Sequence, residues 1–241
     1  MKKSIPIIIA VVVIAAIVAF VAARRSEFLY AATVEATTVE LSARLAAVIG
    51  AVNVNEGDQV KAGDVLLKLS GDDVQVAAEQ AERDYKRAVQ LLADGSMDRE
   101  SFDKIKFKRD DANVRLGWCT IASPIGGTVI TRYHEPGEMV SPGTKLLMLE
   151  DLSKVWAYIY VAHDMLAKLK LGMALNGIIA ESNMKSIPGT IVKINEEAEF
   201  TPKNVQTRNE RTRLVYGVKV SFNNPDHFLK PGMTVEIKLS E

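Results

Sequence analysis

The residues able to do chemistry are present in this chain but scattered. His134, His163 and His227 fall in three separate segments. None has a second His at i+4 or a Cys at metal-ligand spacing, so each reads as a surface or turn residue and no metal site is expected. Glu196-Glu197 and Asp72-Asp73 are paired carboxylates in sequence only. Neighbouring residues on a strand point to opposite faces, so such a pair does not share a substrate for general acid–base work. There is no G-x-x-x-x-G-K-[ST] phosphate loop and no G-x-S-x-G nucleophile elbow. The single Cys119 rules out a disulfide framework and a multi-Cys zinc site, and beside Trp118 it reads as a small buried apolar side chain. A non-catalytic protein without a bound cofactor is the expectation. Arg87, Leu91, Gly95, Met97, Asp98, Phe102 and Asp103 place mixed charged and apolar side chains around a single turn.

Composition narrows the partner. The 241 residues hold 30 basic and 30 acidic side chains for a formal net charge of zero, which removes the electrostatic case for nucleic acid. At 6% aromatic content, base-stacking platforms are not expected either. The N-terminus points elsewhere. Residues 4–23, SIPIIIAVVVIAAIVAFVAA, carry no charge and are closed by Arg24 and Arg25. Twenty helical residues reach about 30 Å, the thickness of a bilayer core. A cleaved secretory signal would have a shorter apolar region, so residues 1–25 read as an uncleaved single-span anchor, with the long polar remainder outside the cytoplasm.

The elements that must position the Arg87–Asp103 cluster are set by a broken repeat. Residues 50–69 read GAVNVNEGDQVKAGDVLLKL and residues 127–149 read GTVITRYHEPGEMVSPGTKLLML. Each runs from a β-prone segment through Glu-Gly or Glu-Pro-Gly to a Val, then through a second Gly turn to a Leu-rich strand. Between them residues 72–117 are charge-dense and free of Pro. Asp72 and Asp73 open this segment as an N-cap and a favourable first-turn charge. Val74, Ala78, Ala81, Tyr85, Ala88 and Leu92 then recur at spacings of four and three, a heptad seam. Asp94-Gly95-Ser96 breaks it. A second helix is predicted from about Asp98, with a seam of Phe102, Ile105, Arg109, Ala112 and Leu116. Two such helices joined by a short turn make an antiparallel hairpin, the first about 34 Å long. Further strands are expected at 155–161, 174–180, 189–195, 213–221 and 233–239, with a short helix over His163–Leu171 and a polar loop over 200–212; together they read as a small β-barrel.

At this point the residues resemble a known family, the HlyD-type membrane fusion proteins, which are periplasmic adaptors of bacterial export systems. Glu56-Gly57-Asp58-Gln59-Val60 and Pro136-Gly137-Glu138-Met139-Val140 are similar to the two halves of a lipoyl-like domain. Ala122-Ser123-Pro124-Ile125-Gly126-Gly127-Thr128-Val129 is similar to the strand that re-enters that domain after the hairpin. Thr201-Pro202-Lys203-Asn204-Val205-Gln206-Thr207 and Leu229-Lys230-Pro231-Gly232-Met233 look like signatures of the adaptor β-barrel. The resemblance implies a mainly β fold with a helical insert: anchor 1–25, first lipoyl-like half 26–71, coiled-coil hairpin 72–117, second half 118–150 and β-barrel 151–241. It also implies partners: an inner-membrane transporter, a TolC-like outer-membrane channel met by the hairpin tip, and further copies of the chain in a homo-oligomeric ring, six subunits or three pairs. Adaptor tips often carry Arg, then Leu four residues on, then Ser seven residues later. Arg87 and Leu91 fit, Asp98 stands at the Ser position, and with Gly95, Met97, Phe102 and Asp103 they make the partner-binding tip that the resemblance implies. Adaptors of proton-driven antiporters of the RND type usually continue into a further membrane-proximal β-domain; the chain ending at Glu241 tilts the expectation towards an ABC-type exporter.

Two other readings stand beside this one. One is an anchored adaptor for a transporter that has no outer channel, kept open by Asp98 at the tip. The other is a swinging-arm carrier, since a lipoyl-like domain can present a modifiable Lys in the turn between its halves. Here residues 72–117 replace that turn, and the helical Lys104, Lys106 and Lys108 do not offer its geometry. The intact mass of the purified chain is therefore expected at the 26.4 kDa of the bare sequence; a lipoyl-sized increment on one lysine would restore the carrier.

Overall fold

The computed structural model describes residues 29–179, 185–200 and 214–239. The expected anchor and the Thr201–Thr207 signature lie outside the described residues. The described chain forms two compact units. One consists of Glu35–Val155 with Asn223–Pro231; the other contains the strand start up to Val34, Trp156–Phe222 and the segment from Gly232.

In the first unit the broken repeat folds as two interlocked halves. The strands are the distal part of β1 (Leu29–Ser42), β2 (Ala47–Val52), β3 (Gln59–Val60), β4 (Val65–Leu69), β5 (Thr120–Ala122), β6 (Gly127–Arg132), β7 (Met139–Val140) and the first part of β8 (Lys145–Val161). They make two small sheets, β3-β6-β8 and β5-β4-β2-β7. Each half contributes one short strand to the other: β3 pairs with β6 through Gln59↔Thr128, and β7 pairs with β2 through Val48↔Met139. The core lies between the sheets. Leu66, Leu67 and Leu69 from the first half meet Leu146, Leu147 and Leu149 from the second, with Ile49, Val60, Val129 and Val140.

The turns explain why this sequence folds so. Asn55–Asp58, Lys61–Asp64, Glu135–Glu138 and Ser141–Thr144 are built alike. The third residue is a Gly with φ between 89° and 94°, a conformation that costs other residues. The fourth residue donates its amide to the carbonyl of the first, over 3.0–3.3 Å. Its side chain accepts from the first residue's N–H: Asp58 at 2.8 Å, Asp64 at 2.7 Å, Glu138 and Thr144 each at 3.2 Å. The Gly amide then reaches across to the opposite half, Gly57 to Val129 and Gly137 to Ile49, both 2.8 Å.

The helical insert leaves from β4 and returns at β5. Helix α1 is Asp72–Ala93 and α2 is Arg99–Gly117. Both seams face one another, each residue at least half-buried, with Ala78 and Ala88 fully buried. The N-cap of α1 is Gly71 rather than Asp72, and no side chain caps it. Packing decides this. A Cβ at Gly71 would lie 2.4 Å from the sulfur of Cys119, so only Gly lets the helix start this close to the returning strand. Cys119 is a core residue, and burial pushes its thiol pKa up.

The second unit is a β-barrel of antiparallel strands in the order β11-β12-β10-β9-β13-β1, with β12 also pairing to β8. Its strands are β9 (Ala174–Ile179), β10 (Lys185–Ile194), β11 (Glu199–Phe200), β12 (Leu214–Asn223) and β13 (Thr234–Lys238). Phe222 fills the interior where Gly177 and Gly189 leave room; a Cβ at either would come within 2.8 Å of its ring.

Three boundaries differ from the sequence expectation. β8 runs unbroken from Lys145 to Val161, so the first unit continues to Val155 instead of ending at 150. Residues 223–231 belong with that unit as well. Asn224 ties them there: its side-chain amide donates to Leu152 and Leu229 carbonyls at 2.8 Å, and its oxygen accepts from the Leu229 amide at 2.9 Å. The expected helix at His163–Leu171 is a single turn, α3 (His163–Leu166), because the chain must reverse at Gly172, whose φ is 82°.

The Gly71–Cys119 contact yields a test. Gly71 has φ −136°, open to any residue, so Gly71→Ala acts through overlap alone and is expected to lower stability by about 1–3 kcal/mol. In a double-mutant cycle read by denaturant unfolding, Cys119→Ala should recover most of that loss. Additive effects would show that the overlap is not the cause.

Candidate functional site

The hairpin is closed on one flank and open on the other. On the closed flank the Arg109 guanidinium lies 3.9 Å from the centre of the Tyr85 ring, a cation–π contact. Arg109 also sits 3.7 Å from Glu82 and 2.7 Å from Asp110. Tyr85 packs on Phe102 with ring centres 5.7 Å apart. The polar Arg109 in the second seam is thus charge-paired inside the hairpin, although its buried Nε makes no hydrogen bond. On the open flank Ala77, Ala81 and Ala88 of α1 and Ile105 of α2 border a groove of about 550 Å³. Small side chains on α1 leave this side unfilled.

The tip is rigidly specified. α1 ends in a left-handed Gly95 with φ 71°. The Gly95 amide donates to Leu92 at 3.1 Å and the Ser96 amide to Leu91 at 2.8 Å, which is a Schellman closure. Three residues later Asp98 caps α2, accepting from the Ser101 amide at 2.9 Å and from the Ser101 hydroxyl at 2.7 Å. Those two hydrogen bonds hold the Asp98 carboxyl below the ordinary aspartate range. Asp98 therefore spends its acceptors on its own helix.

The structure sorts the seven sequence-selected residues. Arg87, Leu91 and Met97 come together on the open groove near the tip. Arg87 is 70% exposed and 3.8 Å from Asp84, leaving most of its fork to solvent. Gly95 and Asp98 shape the turn. Phe102 lies on the closed flank against Tyr85, and the exposed Asp103 lies on the outer face of α2 beside Phe107. Phe102 and Asp103 are thus apart from the Arg87 groove. Sequence reading passed over Ala77, Gln80 and Lys108, which also line the groove, and Phe107, 72% exposed. The signal was there: Ala77, Gln80, Asp84, Arg87 and Leu91 recur at helical spacing beside the seam.

The histidines keep to separate turns. His134 Nδ1 is 2.6 Å from Glu138 and lowers that carboxyl's pKa, His227 Nδ1 is 3.4 Å from Gln59, and His163 lies 6.3 Å from the Tyr216 ring. Among the described residues no three His, Cys, Asp or Glu side chains gather as a metal-holding group. Lys104 is paired with Glu100 at 2.6 Å on α2.

Residues 37–151, both half-motifs with the hairpin between them, match the family model of the CzcB-like barrel-sandwich hybrid domain. Among curated proteins the chain is 41% identical over 117 residues to a UPF0194 membrane protein of Acidithiobacillus ferridurans, covering 48% of this chain and 35% of that one. It is 35% identical over 121 residues to the UPF0194 membrane protein YbhG of Salmonella gallinarum, covering 50% and 37%. The match thus spans little more than a third of the length of these relatives. Among solved structures, a MacA–MexA chimera carrying the Pseudomonas aeruginosa MexA α-hairpin domain superposes with a TM-score of 0.66 at 22% identity, covering 89% of this chain and 82% of that one. The membrane fusion protein Spr0693 of Streptococcus pneumoniae superposes with a TM-score of 0.61 at 18% identity, covering 89% and 99%. These likenesses establish the fold.

The Asp98 cap predicts a pH response at the tip. A carboxyl whose folded pKa is depressed contributes stability above its unfolded pKa and loses it as pH falls through the folded value. Protection of the Ser101 amide from hydrogen exchange should therefore drop on acidification below the ordinary aspartate range. In Asp98→Ala it should be low at every pH. Equal protection in both proteins would remove the cap from the account of the tip.

Proposed function

We propose that this chain is a membrane fusion protein of the HlyD-type periplasmic adaptor class, and that it couples an inner-membrane exporter, of the ABC type, to a TolC-like outer-membrane channel. The observation that carries the reading is the open groove beside a rigid tip. Arg87 offers a mostly unengaged guanidinium, and Leu91 and Met97 offer apolar contact next to it. An arginine fork suits the carbonyls and carboxylates at a helix end or loop of a partner. The residues act by docking, with no catalysis and no cofactor. The apolar run at residues 4–23 serves as the inner-membrane anchor and places the rest in the periplasm; among the described residues no helix is long and apolar enough to cross a membrane. Copies of the chain assemble as a ring, a hexamer, which gives the slender hairpin lateral support.

One observation favours a second reading. Asp98 at the position where adaptor tips often carry Ser adds a negative charge, and its oxygens are engaged by Ser101. That suits an accessory subunit of a transporter working without an outer channel. An RND-type pump as the inner-membrane partner is a third outcome.

Crosslinking in the native cells, followed by mass spectrometry of the co-purified chains, is expected to recover an ABC permease and a TolC-like channel. Arg87→Glu should then abolish export, by tenfold or more, while leaving membrane association and unfolding unchanged. Export that persists in Arg87→Glu, with no outer channel recovered, overturns the docking reading in favour of the accessory subunit.

A further inference from the structure

The exposed apolar side chains of the barrel unit gather towards one rim. Phe200 is 74% exposed, Leu171 67%, Leu214 55% and Val192 51%. Phe200 and Leu214 are direct cross-strand partners, so they present one apolar surface. Leu171 lies at the same end, just before β9, where Gly172 donates to the Ile191 carbonyl at 2.9 Å.

The registers fix which rim this is. Leu29 pairs with Lys238, and Lys238 pairs in turn with Asn176 near the start of β9. Ala174 pairs with Thr190, Ile194 with Val218, and Phe200 with Leu214. Followed strand by strand through antiparallel pairs, the start of β1 shares an edge with the start of β9, the end of β10, β11 and the start of β12. The rim that exposes Leu171, Phe200 and Leu214 is therefore the one at which the chain enters from its N-terminal side.

Only residues 24–28 separate the apolar run ending at Ala23 from Leu29. Even fully extended, that stretch reaches about 20 Å. We propose that this rim rests on the phospholipid surface, with Leu171, Phe200 and Leu214 seated in the interfacial layer. The proposal rests on the reading of residues 4–23 as an anchor. Tether length fixes the rim near the bilayer, and the apolar side chains give it a reason to touch. The proposed contact is apolar. Among the described residues the exposed Lys168, Lys170 and Lys193 are matched by the exposed Glu196, Glu197 and Glu199, so the described part of the rim carries both signs and no net charge. Contact with lipid should accordingly survive high salt.

The test uses the full chain with Cys119→Ala, reconstituted in phosphatidylcholine vesicles. A single Cys carrying an environment-sensitive fluorophore is placed by Phe200→Cys, and by Ser186→Cys at the opposite end of β10. Lipids with a quencher just below the headgroup should quench the label at 200 at least twofold more than at 186, in low and high salt alike. Protein that partitions into vesicles with equal quenching at the two positions overturns the rim contact and leaves the anchor standing. Protein that fails to partition overturns the anchor and the rim contact together. Shielding of position 200 only in native membranes, and not in lipid alone, would assign the rim to a protein partner and refute the lipid contact.

Discussion

The fold of the first unit depends on a reciprocal exchange of backbone hydrogen bonds between two chain segments. Gly57 donates to Val129 while the Val129 amide donates back to Asp58, over 2.8 and 2.9 Å; Gly137 donates to Ile49 while Ile49 donates back to Glu138, both 2.8 Å. The outer pair of turns repeats this, with Gly63 and Ser123–Asp64 on one side and Gly143 and Ala43–Thr144 on the other, at 2.8–2.9 Å. Each turn closes its own internal hydrogen bonds but depends on the opposite segment for its Gly amide and its fourth-residue carbonyl. A buried amide left unpaired would cost about 1–3 kcal/mol, so each half specifies the other. That reciprocity lets the connection between them be opened and lengthened without loss of the domain. At the joint Leu69 donates to the Cys119 carbonyl at 2.8 Å, and Leu67 pairs with Ile121. A 22-residue helix leaves and a 19-residue helix returns at one clamped root.

Where sequence reading succeeded, the signal was local and periodic. The Gly turns at Asn55–Asp58 and Glu135–Glu138 could be read directly, since a Gly turn lives within four residues; the side-chain acceptor at the fourth position emerged only from the structure. The heptad seams of Val74–Leu92 and Phe102–Leu116 were legible for the same reason: a helix repeats its facing positions every three or four residues. Where it fell short, the deciding partner was remote. Gly71 is the N-cap because of Cys119, and no local rule at Asp72-Asp73 carries that information. Residues 223–231 join the first unit because Asn224 reaches Leu152, 72 positions away. The split at 150 was read from the end of a repeat, yet β8 has no break there; an alternating strand shows in sequence where it is apolar and polar, not where one unit yields to another.

The candidate site was legible in part, for a reason that separates shape from chemistry. Arg87 and Leu91 share the groove because their four-residue spacing keeps them on one side of the seam, and Met97 joins them from the turn. Phe102 and Asp103 were selected for nearness in sequence to the turn, and antiparallel helices send such neighbours to different faces. Phe102 instead finishes the closed flank with Tyr85 and Arg109. The seam's one polar residue is thus the reason the hairpin has two unlike sides: Arg109 recruits Tyr85 and Glu82 to its own side, and the alanines opposite have no such filler.

That asymmetry bears on what a partner meets. A hairpin satisfied on both flanks would be a bare rod offering only charge, and surface ion pairs such as Lys86–Glu82 at 3.7 Å contribute little to affinity. A hairpin open on both would lack the packing to stay closed. One sealed flank holds α1 to α2, while the other leaves apolar surface from Ala77 to Leu91 uncovered. Arg87 stands at the edge of that surface, beside the tip, where its charge is hydrated; on the proposed docking reading a partner's acceptor would replace that water. Affinity would then come from the groove and orientation from the arginine, the usual division of labour between apolar burial and charged hydrogen bonds at an interface.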